Sequence, residues 1–225
     1  MPRPLITFDC YGTLIDFDTD RTVTDIVGDR LQTVDGDIER LLLDFEAMSF
    51  QGTVHEFRPL SQILCRSLHA AMLMHGLEYT NRDGELLVAA LATYEPFPEV
   101  PGVLAELHET YDLAIITNSE DALIVPSVRK LGDVFEYVIT AEQSGAYKPS
   151  LRAFEYAHRQ FGRGVNEMTH VAQGWPEDIM PTHKFPGLRR VWVNRHGQPG
   201  SAAFAPYDEI KDLSALPATL ASVRV

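Results

Sequence analysis

Four positions in the chain carry residue types that could together perform nucleophilic catalysis. Each closes a short apolar run, and they are Asp9, Thr117 with Asn118, Lys148, and Asp178. A carboxylate can attack an electrophilic atom and form a covalent intermediate. A neighbouring ammonium would keep that carboxylate ionised and would bind an anionic substrate. The set therefore predicts an enzyme with a carboxylate nucleophile.

These side chains can act together only if the elements that carry them converge. Apolar runs typical of buried strands occur at residues 5–9, 113–117, 137–140, 170–172 and 190–193. Helical patterns lie between these runs, and strands that alternate with helices predict a parallel sheet with helices on both faces. Ligands bind such sheets at the carboxyl ends of the strands. We therefore expect an α/β fold with a Rossmann-like core and the four positions in one crevice.

The stretch from residue 19 to residue 94 has a different pattern, because it contains no convincing strand. Apolar residues recur at helical spacing in the segments 38–45, 60–72 and 86–94. We interpret residues 18–95 as a helical cap inserted into a core of residues 1–17 and 96–225. The acidic series Asp16, Asp18, Asp20 and Asp25 indicates a solvated hinge for this cap.

Composition and charge narrow the function classes. The 225 residues carry 19 Lys and Arg against 32 Asp and Glu, a net charge of −13, so binding to nucleic acid or to an anionic membrane is disfavoured. The two cysteines, Cys10 and Cys65, form no disulfide framework, and no Cys/His cluster predicts zinc. No apolar run is long enough for a signal peptide or a membrane span. We therefore expect a cytoplasmic protein without membrane or nucleic-acid partners.

The motifs around the four positions resemble those of the haloacid dehalogenase superfamily. Residues 8–14 (FDCYGTL) look like its first motif, which is specific. Residues 116–118 (ITN), 147–149 (YKP) and 177–178 (ED) are similar to the second, third and fourth motifs, which are short and persuasive only together. The match in order and spacing spans essentially the whole chain, and the helical insert resembles the cap domain of that superfamily. The resemblance implies that Asp9 is the nucleophile.

Two positions depart from the phosphatase pattern of that superfamily. Phosphatase members have a second aspartate two residues after the nucleophile, which protonates the alkoxide leaving group, whereas this chain has Tyr11. Their fourth motif often pairs two aspartates to bind magnesium, whereas this chain pairs Gln173 with Asp178. A halide leaves without a proton. The resemblance therefore implies the branch of L-2-haloacid dehalogenases and related metal-independent hydrolases, with no metal and no cofactor.

Six further residues are candidates for substrate binding. Dehalogenases of this branch have a cap arginine near the leaving halide, and Arg40 is the residue that the early cap helix offers. Asp44 stands four residues after Arg40, so an ion pair on the helix surface is the alternative. The six candidates are Tyr11, Thr13, Gln173 and Trp175 near the motifs, and Arg40 and Phe57 in the cap.

We predict the hydrolysis of a small 2-substituted carboxylic acid through an aspartyl ester on Asp9. Thr117, Asn118 and Lys148 would hold the substrate carboxylate, and Lys148 with Asp178 would position the water that hydrolyses the ester. Three alternatives stay open: a phosphatase that lacks the second aspartate, a catalytically silent binding protein, and a hydrolase of the azetidine-2-carboxylate type. The segment 170–179 (HVAQGWPEDI) looks closer to the side branch that includes this last activity. The expected partners are a small anionic substrate and a second copy of the chain in a homodimer.

Overall fold

A six-stranded parallel sheet lies at the centre of the computed structural model, which describes residues 3–34, 36–54 and 56–222. The strands are β1 (Leu5–Phe8), β2 (Asp112–Thr117), β3 (Phe135–Thr140), β4 (Met168–Ala172), β5 (Arg189–Val193) and β6 (Asp208–Ile210). Their order in the sheet is β3-β2-β1-β4-β5-β6, and all neighbouring strands are parallel. The predicted α/β architecture is thereby confirmed. The edge strand β6 was not predicted, because three residues carry too little pattern.

The described residues form ten α-helices in addition to the sheet. They are α1 (Thr19–Thr33), α2 (Ile38–Thr53), α3 (Leu60–Met74), α4 (Asn81–Ala90), α5 (Val100–His108), α6 (Asp121–Leu131), α7 (Ala141–Ser144), α8 (Leu151–Phe161), α9 (Met180–Thr182) and α10 (Leu216–Ala221). A π-helical turn, Trp175–Ile179, precedes α9.

Both faces of the sheet are covered by helices because successive residues of each strand point to opposite sides. Ile6 and Phe8 of β1 belong to the hydrophobic cluster that includes residues of α5, α6 and α10. Leu5 belongs to a second cluster, which includes residues of α8. Burial on both faces explains the nearly continuous apolar runs of these strands.

Helices α1–α4 lie between β1 and α5 and share a hydrophobic cluster of their own, which includes Val27, Leu41, Leu68 and Leu87. Residues 60–72 and 38–45, where helical spacing is regular, do form helices. The division into a core and a cap at residues 17/18 and 95/96 stays a prediction.

The acidic series near residue 20 is exposed, but part of it belongs to a helix that the sequence did not predict, and its function as a cap hinge stays a prediction. Asp18 caps α1 by accepting a hydrogen bond from the backbone N–H of Arg21, and Asp20 and Asp25 lie within this helix. The helix buries Val23, Val27 and Leu31. Its polar residues outnumber these three apolar ones, so the helical spacing is hard to recognise in the sequence.

Within the described part of the chain, no helix combines the length and the apolar character needed to cross a bilayer.

Candidate active site

Asp9, Lys148 and Asp178 form a buried cluster at the carboxyl ends of the central strands. The ammonium Nζ of Lys148 lies 2.8 Å from Oδ1 of Asp9 and 2.7 Å from Oδ1 of Asp178. The exposed fractions are 8% for Asp9, 2% for Lys148 and 1% for Asp178. One cation therefore bridges two carboxylates in a place with little access to water.

The sheet and its connections fix these three side chains. Asp9 follows β1 directly, and its backbone N–H donates to the carbonyl of Val171 in the neighbouring strand β4. The ammonium of Lys148 also donates to the carbonyl of Ile116 near the end of β2, at 3.0 Å. Asp178 lies in the π-helical turn that follows β4. Three adjacent strands, β2, β1 and β4, thus determine the position of the cluster.

The charges in this cluster depend on one another. Burial raises the pKa of Asp9 above its ordinary value, although the charge of Lys148 opposes the shift. Burial would also raise the pKa of Asp178, but the charge of Lys148 and a hydrogen bond from His170 bring it below its ordinary value. Although burial works against the cation, the two carboxylates raise the pKa of Lys148. Lys148 therefore stays protonated at neutral pH.

Thr13 holds the second oxygen of Asp9. Its hydroxyl donates to Oδ2 of Asp9 at 2.8 Å, and the same oxygen of Thr13 accepts the backbone N–H of Gln173 at 2.8 Å. The backbone contact leaves the hydroxyl hydrogen for Asp9 and fixes its direction. Thr13 thus orients the carboxylate, and we infer no direct contact with substrate.

Two hydroxyls at the end of β2 are buried but have no hydrogen-bond partner among the described residues. They belong to Thr117, which the sequence singled out, and to Ser119, which it did not. A buried hydroxyl without a partner is costly, so such groups commonly have a ligand or an ordered water as partner. Of the two, Ser119 lies close enough to the hydroxyl of Tyr11 to lower its pKa.

Asn118 lies at the site but binds the backbone of Lys148. Its amide Nδ2 donates to the carbonyl of Lys148 at 3.0 Å, and its Oδ1 accepts the N–H of Lys148 at 2.7 Å. The side chain thus ties the end of β2 to the loop that carries the lysine. This geometry supports a positioning function for Asn118 in place of the expected contact with the substrate.

Tyr11 and Trp175 lie beside the cluster with contacts of their own. The hydroxyl of Tyr11 is 3.2 Å from Oγ of Ser127 on α6, and burial raises the pKa of Tyr11 to about 12. It therefore stays neutral at physiological pH. The ring of Trp175 packs at a centroid distance of 4.5 Å from Trp192 and 5.2 Å from Tyr207, and no contact of Trp175 with Asp9, Lys148 or Asp178 is found in the described residues.

The side chain of Gln173 packs closely against Gly12 in the turn after Asp9. A Cβ atom at Gly12 would come within 3.2 Å of Oε1 of Gln173, and the φ angle of Gly12 is +83°. Glycine at this position therefore permits both the turn and the close approach of Gln173.

The two candidates from the helical segment differ in position. Phe57 stacks on Tyr147 at a centroid distance of 5.5 Å, and Tyr147 precedes Lys148 in the chain. Arg40, by contrast, is not brought to the cluster. Its side chain is 67% exposed, and its Nε lies 3.5 Å from Oδ2 of Asp44. This is the ion pair on the helix surface that was given above as the alternative. Four residues separate these partners on α2, so helix geometry alone brings them together.

His170 contacts the cluster, although the sequence reasoning did not single it out, and Glu177 of the fourth motif adjoins Asp178. His170 lies on β4 and is 1% exposed, and its Nε2 is 3.0 Å from Oδ1 of Asp178. A histidine inside a predicted buried strand needs polar partners, and that signal could have identified it. Glu177 is half-buried, and burial together with the charge of Asp178 raises its pKa.

The donor set does not fit a divalent cation such as magnesium. No group of three or more His, Cys, Asp or Glu side chains in the described residues could hold a metal ion. The ammonium of Lys148 already contacts both Asp9 and Asp178. Magnesium prefers an octahedral array of oxygen ligands, and two carboxylates that an ammonium already bridges do not supply one.

A parallel α/β sheet with a buried carboxylate–ammonium–carboxylate cluster at the ends of its strands defines an enzyme that uses a carboxylate nucleophile. A family model described as haloacid dehalogenase-like hydrolase matches residues 4–180. The chain therefore belongs to the haloacid dehalogenase-like hydrolases, which confirms the family expected from the motifs.

Individual relatives point in the same direction. The chain is 26% identical to (S)-2-haloacid dehalogenase 4A of Burkholderia cepacia over 219 residues, which cover 93% of this chain and 91% of that protein. It is 28% identical to (S)-2-haloacid dehalogenase of Pseudomonas sp. (strain YL) over 201 residues, 85% of this chain and 83% of the relative. Its fold matches the L-2-haloacid dehalogenase of Xanthobacter autotrophicus with chloropropionic acid covalently bound, at a TM-score of 0.78, with 18% identity and full coverage of both chains.

Proposed function

We propose that this hydrolase converts a small 2-haloalkanoic acid into the corresponding 2-hydroxy acid through an ester on Asp9. The observation that carries the proposal is the position of Lys148 between Asp9 and Asp178, in a site where Tyr11 stands in place of a second acid. Dehalogenation of 2-haloacids, the activity by which the two relatives are named, agrees with this chemistry.

In the first step, a carboxylate oxygen of Asp9 attacks the carbon that bears the halogen. The new carbon–oxygen bond forms as the carbon–halogen bond breaks, and the halide leaves with the bonding electron pair. No proton is needed, which is consistent with a neutral Tyr11 beside the nucleophile. The hydroxyls of Thr117 and Ser119 donate to the substrate carboxylate. Lys148 attracts it through its charge, because its three N–H groups already donate to Asp9, Asp178 and Ile116.

In the second step, water attacks the carboxyl carbon of the Asp9 ester. Asp178, whose pKa is lowered, is ionised and accepts a proton from this water. The bond between the carboxyl carbon and the alkyl oxygen then breaks, and the departing oxygen takes up the proton. Asp9 is regenerated, and the net products are the 2-hydroxy acid, the halide and one proton.

The segment 18–95 acts in this proposal as a cap over the site. Three hydrogen bonds between described residues join it to the core at this junction. Tyr147 donates to the carbonyl of Arg58, and the backbone N–H and the hydroxyl of Ser61 both donate to Glu120. Phe57 forms an apolar part of this junction through its stacking on Tyr147.

We further propose a cytoplasmic homodimer that acts without metal. Exposed apolar side chains at α2 and α3 support a contact between two copies of the chain. They are Leu43 and Phe50 on α2, Val54 directly after α2, and Leu73 and Met74 on α3. Large exposed apolar patches are typical of interaction surfaces. Light scattering with size-exclusion chromatography would show a mass near twice that of the chain, whereas a monomer at micromolar concentration would refute the dimer.

A hydrolase of the azetidine-2-carboxylate type is the second candidate, and Glu177 is the observation that favours it. This half-buried carboxyl lies near Asp9 and Asp178 and has a raised pKa. A carboxylate there could pair with the ring ammonium of such a substrate, a group that a 2-haloacid lacks.

A panel of substrates distinguishes these activities. We would test chloroacetate, fluoroacetate, both enantiomers of 2-chloropropionate, azetidine-2-carboxylate and p-nitrophenyl phosphate, and measure halide, hydroxy acid and phosphate. The proposal expects halide and hydroxy acid in equal amounts, and none from Asp9→Asn. Turnover of the phosphate ester alone would refute it, and turnover of the azetidine alone would support the second candidate.

A further inference from the structure

His170 connects the catalytic cluster to the interior of the sheet. Its Nε2 lies 3.0 Å from Oδ1 of Asp178, and its Nδ1 lies 2.8 Å from the hydroxyl oxygen of Thr7 on β1. The ring packs edge-on against Phe154 of α8 at a centroid distance of 5.6 Å. These contacts leave the imidazole little freedom to rotate.

The partners determine which ring nitrogen carries the hydrogen. Asp178 is ionised and can only accept a hydrogen bond, so Nε2 of His170 must be the donor. In the neutral ring Nδ1 is then an acceptor, and the hydroxyl of Thr7 donates to it. The other acceptor for this hydroxyl, the carbonyl of Thr169, lies farther away at 3.4 Å.

Both donors to Asp178 converge on one oxygen. Lys148 and His170 each donate to Oδ1, and no donor to Oδ2 is found in the part of the chain that the structure describes. Oδ2 lies near Gly174, where a Cβ atom would come within 2.7 Å of it. The absence of a side chain at Gly174 thus leaves room beside Oδ2.

We propose that His170 is a positioning residue for hydrolysis of the Asp9 ester. Its hydrogen bond fixes the carboxylate plane of Asp178, so that Oδ1 is occupied by donors and Oδ2 accepts the proton of the attacking water. Rotation of the carboxylate about the bond to its carboxyl carbon breaks both of these hydrogen bonds, whereas without His170 it would break only the one from Lys148. The inference rests on the proposed aspartyl-ester mechanism and assigns His170 to its second step.

Two substitutions separate this function from packing. His170→Gln retains an N–H group at about the place of Nε2, whereas His170→Phe retains a ring but no donor. Loss of a hydrogen bond to a charged group slows the step that needs it by about ten- to a hundredfold. We therefore expect His170→Phe to hydrolyse the ester that much more slowly while forming it at nearly the wild-type rate.

The measurement is rapid acid quench of the enzyme with 2-chloropropionate, followed by intact-protein mass spectrometry. His170→Phe should accumulate the Asp9 ester, and His170→Gln should restore the low wild-type level. If both steps slow together in His170→Phe, or if His170→Gln accumulates as much ester, the inference is wrong. Should His170→Phe fail to fold, Thr7→Val replaces it. Thr7→Val removes the partner of Nδ1 and so loosens the ring of His170, and a smaller accumulation of the ester is expected. No accumulation in Thr7→Val would count against the proposal.

A second measurement does not depend on turnover. Nitrogen-15 NMR of the histidine rings in the wild-type protein at neutral pH should show His170 with hydrogen on Nε2, assigned by the loss of its signals in His170→Gln. Hydrogen on Nδ1 alone would overturn the inference even in an active enzyme. A wild-type protein that forms no ester from any substrate would refute the proposed function, and the NMR result would still decide whether His170 donates to Asp178.

Discussion

Nζ of Lys148 lies 2.8 Å from Oδ1 of Asp9, and both side chains are buried. The ammonium is shared with Asp178, so the cluster carries one positive and two negative charges when all three groups are ionised. Buried charges are tolerated only when they are paired and hydrogen-bonded. This relationship links the stability of the site to its ability to ionise the nucleophile.

The first prediction concerns the charge of Lys148. Lys148→Ala leaves two buried carboxylates without a counter-charge, and losing a charge-assisted contact costs about 1.5–3 kcal/mol, or at least a ten- to hundredfold fall in kcat/KM. Lys148→Arg keeps the charge, so its kcat/KM should fall less than that of Lys148→Ala. Lys184→Ala, at an exposed lysine, is the matched control. Steady-state kinetics on 2-chloropropionate should rank kcat/KM as wild type, then Lys148→Arg, then Lys148→Ala. Wild-type kinetics for Lys148→Ala would exclude the lysine from the mechanism.

The second prediction concerns the space beside Asp178. Gly174→Ala would place a Cβ atom 2.7 Å from Oδ2 of Asp178, although the φ angle of −63° suits alanine. We expect kcat to fall at least tenfold, because the carboxylate must rotate away from its donors Lys148 and His170. Gly28→Ala on α1 has nothing within 4 Å and should keep full activity. Equal activity of the two variants would show that the position of Oδ2 of Asp178 does not affect turnover.

Most of the fold could be predicted from the sequence, because each strand of β1–β5 is a short apolar run between helical patterns. Several elements were not predicted. Helix α1 was missed because polar residues dominate it, and β6 because it has three residues. The short helices α7, α9 and α10 were also missed, because three to six residues carry too little apolar spacing to identify a helix.

The site was predictable to the extent that strand ends converge. Asp9, Lys148 and Asp178 meet as expected. They follow β1, β3 and β4, which lie in one half of the sheet in the order β3-β2-β1-β4, and Lys148 reaches across the end of β2. The orientation of Asn118 toward the backbone of Lys148 was not predictable, because a side-chain amide can bind backbone or substrate equally well. The sequence could not show whether Arg40 faces the site or the solvent, because the direction in which a polar residue of α2 points depends on how the helix packs against the rest of the chain.

The third prediction concerns pH. The pKa of Asp9 is raised by burial and further by the charge of Asp178. Only the ionised form attacks, so ester formation should fall as pH decreases through a value above the ordinary aspartate pKa. Asp178→Asn removes the neighbouring negative charge, so the pKa of Asp9 falls and ester formation should persist to lower pH. Single-turnover rates against pH measure both profiles, and a shift to higher pH in Asp178→Asn would contradict the electrostatic interpretation.

The fourth prediction is independence from metal ions. Displacement at carbon moves negative charge onto the halide, and the substrate has one carboxylate, which Lys148 can balance. A phosphoryl group carries more charge, which a divalent cation offsets in the transition state. Halide release should therefore be unchanged in excess EDTA and should not rise with added magnesium. Loss of activity on chelation, with recovery on adding magnesium, would favour a phosphatase-like mechanism.

The covalent function of Asp9 is tested most directly by a single turnover in oxygen-18 water, with enzyme in excess over 2-chloropropionate. Ester hydrolysis at the carboxyl carbon of Asp9 transfers an original aspartate oxygen to the product and leaves the water oxygen in the protein. Mass spectrometry of the peptide that contains Asp9 should therefore find the label in that residue, and the hydroxy acid should be unlabelled. Label in the hydroxy acid, with none in Asp9, would show direct attack by water and would contradict the account.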